Sequence, residues 1–343
     1  MDGSETRILS VGTALPGPLL DNAALARRFG MDEIWEQWIE AFIGASTRHL
    51  AVDLESGEVV SSLTELGETA ARRALENAGL EPGDVDVMVL GTAMPDQLMP
   101  TTVNMIADRL GINEVPTYQL QSGCTGAVQA MDLGRQMLLT PGRRHALVIG
   151  GEVCAKHYDL SVDVKKLAPD ELVNLLLFGD AAGAAVLTTD EAPQSLVIRG
   201  LMNRLTGLGR PPGQTVDWFG LIDRDSARQA VSEDYKAIEE SVPVMSAEIL
   251  RELLDDLGWA ETDVDYLLPP QLSVKMTGRI VEELNVPGAE EVSCVSEISN
   301  TGNALPFFQL EQLIPQMAEG DRAIGIAVES SKWIKAGYAL EKV

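Results

Sequence analysis

The chain of 343 residues has only three cysteines and three histidines, and half as many basic side chains as acidic ones, 26 Lys and Arg against 52 Asp and Glu. Each shortage excludes something. Cys124, Cys154 and Cys294 are too few and too scattered for a disulfide framework, and with His49, His145 and His157 they show no metal-ligand spacing. A formal charge of −26 argues against nucleic acid or an anionic membrane as partner, since both need a positive surface. There is no apolar run of about 18 residues, and "MDGSETRIL" lacks a basic region followed by an apolar stretch, so neither a membrane span nor a secretory signal is expected. The expected location is cytoplasmic. An acidic carrier protein would need a local basic patch, for which Arg143 with Arg144, Lys156, and Lys165 with Lys166 are candidates, although a solvated charge is the commoner role of each.

No Pro/Gly/Ser-rich segment divides the chain. What it contains is a repeat. "ARRALENAGLEPGDVDVMVLGTA" (71–93) has a counterpart in "ILRELLDDLGWAETDVDYLLPPQ" (249–271), each reading as an amphipathic helix, a glycine stop, an acidic turn and a buried strand. "RRHALVIGGE" (143–152) resembles "GDRAIGIAVE" (320–329), and "AAGAAVL" (181–187) faintly echoes "KAGYALEKV" (335–343). Two halves of a duplicated α/β unit follow, 1–190 and 191–343, each with its sheet covered by helices.

Within the first half, "QLQSGCTGAV" (119–128) sets Cys124 between Gly123 and Gly126, after a β-prone run and before a helix apolar all round (Ala127, Val128, Ala130, Met131, Leu133, Met137, Leu138), which is expected to be buried between layers. Unpaired N–H groups at such a helix start favour a thiolate. A free cysteine is as often a small packed hydrophobe, and position alone leaves both readings open. The second half offers two turn-like segments rich in donors and acceptors, "LLPPQLS" (267–273) and "ISNTGNALP" (298–306). In α/β folds ligands gather where strands end and helices begin.

Taken in order, "SGCTGA", "FGDAAGAAVL", "LPPQ" and "SNTGNA" resemble the thiolase-fold condensing enzymes, and most closely the type III ketoacyl synthases; "EQWIEAFIGASTRHL" (36–50) is similar to the N-terminal segment of that family. The resemblance implies a thiolase-like α/β fold of two duplicated halves with layered sheets and a buried nucleophile helix. It also implies a homodimer pairing its central sheets across a two-fold axis, with 143–152 as the strand expected there. Cys124 would accept an acyl group from a coenzyme A or carrier-protein thioester, its N–H forming part of an oxyanion hole, and Asn300 would be the asparagine that assists decarboxylation of a malonyl thioester. No permanently bound cofactor is implied. Trp38 matches a tryptophan that stacks on the adenine of coenzyme A, an arginine expected four residues later is Phe42, and another near the pocket mouth is Lys156.

Two departures stand out. The Pro-His-Gln segment of the family corresponds to Pro269-Pro270-Gln271, with Ser273 at a position often held by asparagine, and proline can neither move a proton nor donate a hydrogen bond. Its Gly-Gly-Gly stretch corresponds to Ser331-Lys332-Trp333, so Pro270, Gln271, Ser273 and the Trp333 ring are the expected substrate or oxyanion contacts. The expected activity is acyl transfer in specialised metabolism, of the polyketide or antibiotic kind, from Cys124 to an acceptor without malonyl decarboxylation. His157, Glu297 and Gln271 are candidates for the missing base, and Cys154 and Cys294 read as packing residues. The alternatives are coupling of an acidic β-ketoacyl thioester to a small carrier-bound unit with ring closure, as in tetronate formation; an ordinary decarboxylating synthase; and a non-catalytic relative. Acyl identity rests on loops such as 204–236, which carry no local signature.

Overall fold

The computed structural model describes residues 5–158, 160–167, 169–217 and 231–343. Its main strands are β1 (Arg7–Ala14), β2 (Val87–Thr92), β3 (Thr117–Gln121), β4 (His145–Glu152), β5 (Ala181–Thr188), β6 (Leu196–Leu205), β7 (Tyr266–Leu268), β8 (Glu290–Glu291), β9 (Arg322–Glu329) and β10 (Ile334–Lys342). They join in the order β8-β7-β9-β10-β6-β1-β5-β4-β2-β3. Read outward from its centre, that order contains one pattern twice. In the first half β2 lies parallel to β3 and β4, and β5 is antiparallel to β4 and β1. In the second, β7 lies parallel to β8 and β9, and β10 is antiparallel to β9 and β6. The two sets of strands join where Arg7 and Ile8 pair with Val197 and Leu196.

The principal helices are α1 (Leu63–Ala78), α2 (Thr102–Leu110), α3 (Gly126–Met137), α4 (Tyr235–Leu257), α5 (Val274–Leu284) and α6 (Leu305–Leu313). The repeated "helix, glycine, acidic turn" is visible in their ends. Ser62 and Glu65 form a capping box that starts α1, Asp234 caps α4, and both helices stop at a glycine in the left-handed region, Gly79 at φ 68° and Gly258 at φ 66°.

Five layers result, because the strands are buried on both faces and alternate residues serve different cores. On β4, Leu147 and Ile149 pack outward with α1 and α2, whereas Ala146 and Val148 face inward. On β9, Ile324, Ile326 and Val328 join α4 and α5, while Ala323 and Ala327 face the same central layer. That layer holds α3 and α6; the apolar residues of the helix following Cys124 are buried between the sheets, but its surface is not apolar all round, since it also carries Gln129, Asp132, Arg135 and an exposed Gln136. Close approach depends on glycine: a Cβ on Gly91 of β2 would stand 2.2 Å from the carbonyl oxygen of Gly126 at the start of α3.

The strand expected at a two-fold interface is not at an edge. β4 is hydrogen-bonded on both sides, to β2 and β5, and the open edge of the first half is the more polar β3, which leads directly to Cys124. The physical reason is simple: the most apolar strand goes to the middle of the sheet, where both faces and both edges are covered. Among the described residues no helix is long and apolar enough to cross a membrane.

Candidate active site

Cys124 lies in the turn between β3 and α3. The Gly126 N–H closes that turn on the Gly123 carbonyl at 2.8 Å. The half-buried thiol opens on two cavities. The larger, of about 250 Å³, is walled mainly by apolar side chains, among them Tyr158, Val162, Leu167, Leu175, Phe178 and Val216, with Glu152, Cys154 and His157 also on its wall. Of the loop expected to shape the acyl site, Gln214, Val216 and Val231 line this cavity, and 218–230 lie outside the described residues. The smaller, of about 30 Å³, brings Cys124 together with Pro270, Gln271 and Asn300.

Asn300 is 3 % exposed and follows Ser299, whose φ of 60° and ψ of −168° lie in a region that almost only glycine enters without strain. Such a backbone persists only where its surroundings hold it. Ser299 Oγ donates to the Thr47 carbonyl at 3.1 Å and accepts from Nε of the fully buried Arg48 at 3.3 Å, and the Asn300 N–H donates to the Leu177 carbonyl at 3.1 Å. Asn300 Oδ1 accepts from the Gly302 N–H at 3.0 Å, which turns Nδ2 into the side chain's available donor.

The other expected residues divide. Pro270 borders the small cavity, as an imidazole in its place would. Gln271 borders it too, but its Oε1 accepts from the Cys294 N–H at 2.9 Å, which makes it a bracket for the 292–294 segment. Ser273 caps α5 through the Met276 N–H at 3.2 Å and is on neither cavity wall. Trp333 is a correction. Its backbone has φ 61°, which swings the ring away from Cys124 into the outer core of the second half; Nε1 donates to the Pro211 carbonyl at 2.7 Å, and the Arg210 guanidinium stacks 3.9 Å from the ring. The bulky ring therefore does not obstruct the thioester.

Trp38, on the helix Glu33–Phe42, stacks with Phe42 at 5.2 Å and 32°; Phe42 is 58 % exposed, not a core residue, and Lys275 Nζ sits 5.1 Å from its ring. Lys156 Nζ donates to the Met94 and Pro95 carbonyls at 3.1 and 2.7 Å and borders a separate cavity with Asp96 and Arg109. Glu297 is exposed and away from both cavities at Cys124. Cys294 is buried, as a packing residue would be, whereas Cys154 lines the large cavity beside Cys124.

The electrostatics overturn the expected thiolate. Burial, followed by the carboxylates of Glu329, Glu152 and Glu233, pushes the Cys124 thiol up to about 12. Its sulfur rests protonated at neutral pH, the opposite of activation by the helix start. Burial also lifts Glu152 to about 7 and Asp180 to about 6. Three polar residues missed in the sequence complete the site. Asn303 Nδ2 donates to Glu152 Oε1 at 2.6 Å and to the Ser122 carbonyl at 3.1 Å, while its Oδ1 accepts from the Ala127 N–H at 2.9 Å; Glu329 accepts from Ser122 and Thr125. The available signal was that both glutamates end the repeated strands and that "SNTGNA" holds a second asparagine.

This arrangement, a cysteine before a central helix with an asparagine turn facing it from the second half of a five-layered fold, defines a thiolase-fold condensing enzyme. Residues 118–201 match the family model described as 3-oxoacyl-[acyl-carrier-protein (ACP)] synthase III. The chain is 30 % identical over 303 residues to β-ketoacyl-[acyl-carrier-protein] synthase III of Erythrobacter litoralis, covering 85 % of each, and 29 % identical over 305 residues to the enzyme of that name from Rhizorhabdus wittichii, covering 87 % of this chain and 86 % of the other. Among solved structures it is similar to AbyA1, a tetronic acid condensing enzyme, with a TM-score of 0.95, 56 % identity and coverage of 98 % and 99 %. A priming β-ketosynthase from a polyketide biosynthetic pathway aligns with a TM-score of 0.82 and 25 % identity over 98 % of this chain and 96 % of the other. The protein belongs to the β-ketoacyl-acyl-carrier-protein synthase III family.

Proposed function

We propose that this enzyme couples two thioester-bound acyl units through a carbon–carbon bond without malonyl decarboxylation, in a tetronate-type ring-forming reaction. The observation that carries the reading is the 56 % identity, over nearly the whole chain, to a tetronic acid condensing enzyme. Pro270 beside the nucleophile supports it, because an acidic methylene between two carbonyls needs less help to ionise than a malonyl unit needs to lose carbon dioxide. In the first step the Cys124 sulfur attacks the thioester carbonyl of the small unit, and the carrier thiol leaves with the cysteine's proton. In the second, the β-ketoacyl methylene gives up a proton, its carbanion attacks the acyl-Cys carbonyl, and Cys124 departs as a thiolate that takes up the proton the methylene lost. The Cys124 N–H and Asn300 Nδ2 are the donors for the oxygens on which charge develops. Ring closure by a hydroxyl of the small unit on the remaining thioester then releases the second thiol.

Phe42 against Trp38 occupies a face that an adenine would need, which favours a carrier-protein donor over coenzyme A. Transfer to an alcohol or amine is kept as a second reading by His157, which lines the large cavity; burial and then Lys156 hold its pKa below the ordinary value, so it is neutral at pH 7 and able to accept a proton. Offering the acylated enzyme a β-ketoacyl thioester and an amino or hydroxyl acceptor in competition, with products read by mass, tests both. Carbon-acylated product is expected, and exclusive transfer to oxygen or nitrogen would overturn the first reading.

We further propose pairing of β3 with β3 of a second copy, extending the sheet through the one open edge of the first half. Light scattering at micromolar concentration should give twice the 36.9 kDa chain mass, and a monomer would remove this claim.

A further inference from the structure

The ends of β4 and β9 occupy equivalent places in the two halves, and each is a glutamate only 4 % exposed. Each carboxylate reaches into the helix-start turn of the opposite half. Glu329 Oε2 accepts from Ser122 Oγ and Thr125 Oγ1, both at 2.6 Å, so the hydroxyls on either side of Cys124 are tied to the second half; its Oε1 accepts from Ser331. Glu152 accepts from Asn303, which in turn holds the Ala127 N–H and the Ser122 carbonyl. Glycine leaves room for each carboxylate. A Cβ on Gly123 would stand 3.3 Å from Glu329 Cδ, and one on Gly302 would stand 2.7 Å from Glu152 Cγ.

Both carboxyl groups are satisfied by hydroxyls, amides and backbone N–H groups, with Glu152 also accepting from Thr92, Ala93 and Met94. Burying a carboxylate without a cation is costly, and packing alone would be served as well by an amide or a hydrocarbon. What an amide lacks is the charge. We propose that Glu329, with Glu152 as its counterpart from the other half, is a positioning residue for the nucleophile: it fixes the turn through Ser122 and Thr125 and sets a negative charge against the Cys124 sulfur. The consequence is selectivity. A thiol held against a carboxylate reacts slowly with adventitious electrophiles, whereas attack on a bound thioester passes the negative charge to the carbonyl oxygen and the proton to the departing thiol.

Alkylation by iodoacetamide across pH, followed on the Cys124 peptide by mass, tests this without any substrate. Among the described residues, the charged and titratable groups around Cys124 are Glu329 on β9, Glu152 on β4, Glu233 on the strand Val231–Glu233, the neighbouring Cys154 thiol, and His157 and Tyr158 on the wall of the large cavity. Glu329→Gln keeps an acceptor for the hydroxyls and removes the charge, so the alkylation midpoint should fall by about 1 pH unit or more. A profile superimposable on that of the unmodified protein, or displaced upward, overturns the proposal. Ser122→Ala with Thr125→Val keeps the charge and releases the turn, so acyl loading should slow by about tenfold or more while the midpoint stays in place. Should Glu329→Gln fail to fold by circular dichroism, this second variant decides: unchanged loading overturns the positioning role.

Discussion

Replacing Cys124 with alanine should abolish acyl loading. Incubated with an acyl thioester of carrier protein or coenzyme A, the unmodified enzyme should gain the mass of one acyl group, and Cys124→Ala should gain none, a loss on the order of 10⁴-fold or more in loading rate. The result is informative because Cys154 lines the same cavity. Its thiol is pushed well above the ordinary range, first by burial and then by Glu152 and Asp180, and its N–H is tied to Asp180 Oδ1 at 2.7 Å. Only Cys124 also borders the smaller cavity with Asn300, where a thioester oxygen would meet donors. An adduct that survives on the Cys154 peptide of the Cys124→Ala protein would overturn the assignment of the nucleophile.

The second large effect concerns carbon dioxide. Given an acyl donor and a malonyl thioester, the enzyme should form its acyl-Cys and release essentially no carbon dioxide. Decarboxylation leaves an enolate whose oxygen needs donors, and loss of one typically costs ~10²- to 10³-fold in rate. Pro270 supplies neither a donor nor a proton, and among the described side chains of the second half on the small cavity Gln271 and Gln309 donate to the backbone carbonyls of Val292 and Pro269, which leaves Asn300 Nδ2 as the candidate donor. Pro270→His should not by itself restore condensation. Cys124 would still sit among Glu329, Glu152 and Glu233, and the Ser331-Lys332-Trp333 hairpin would still be bound to Glu329 and to the segment around Pro211. Turnover on the order of 1 per second or more from the unmodified protein would return it to ordinary decarboxylating synthases.

Those residues also mark how far sequence could be read. The strands were legible because they are buried on both faces: 145–152 and 322–329 stand out as apolar runs, and the glycines after the paired helices fix their ends. Edge position was not legible, since apolarity identifies a central strand and says nothing of which neighbour is missing; β3, with Tyr118 37 % exposed, was the plainer strand. The segments carrying Cys124, Pro270 and Asn300 were visible as glycine-, proline- and asparagine-rich turns. The direction of the Trp333 ring was hidden by a positive φ on a residue type that rarely takes one. The buried carboxylates were hidden because a glutamate's ordinary place is in water, and only its partners, distant in sequence, reveal otherwise.

The small cavity has one more consequence. The space between Cys124, Pro270 and Asn300, about 30 Å³, is large enough to admit a water. A proline on its wall offers that molecule no base. Once Cys124 carries an acyl group, hydrolysis through this space must then proceed without proton transfer from position 270, which lengthens the life of the thioester. Each loaded unit is thereby kept longer for coupling instead of being lost to solvent.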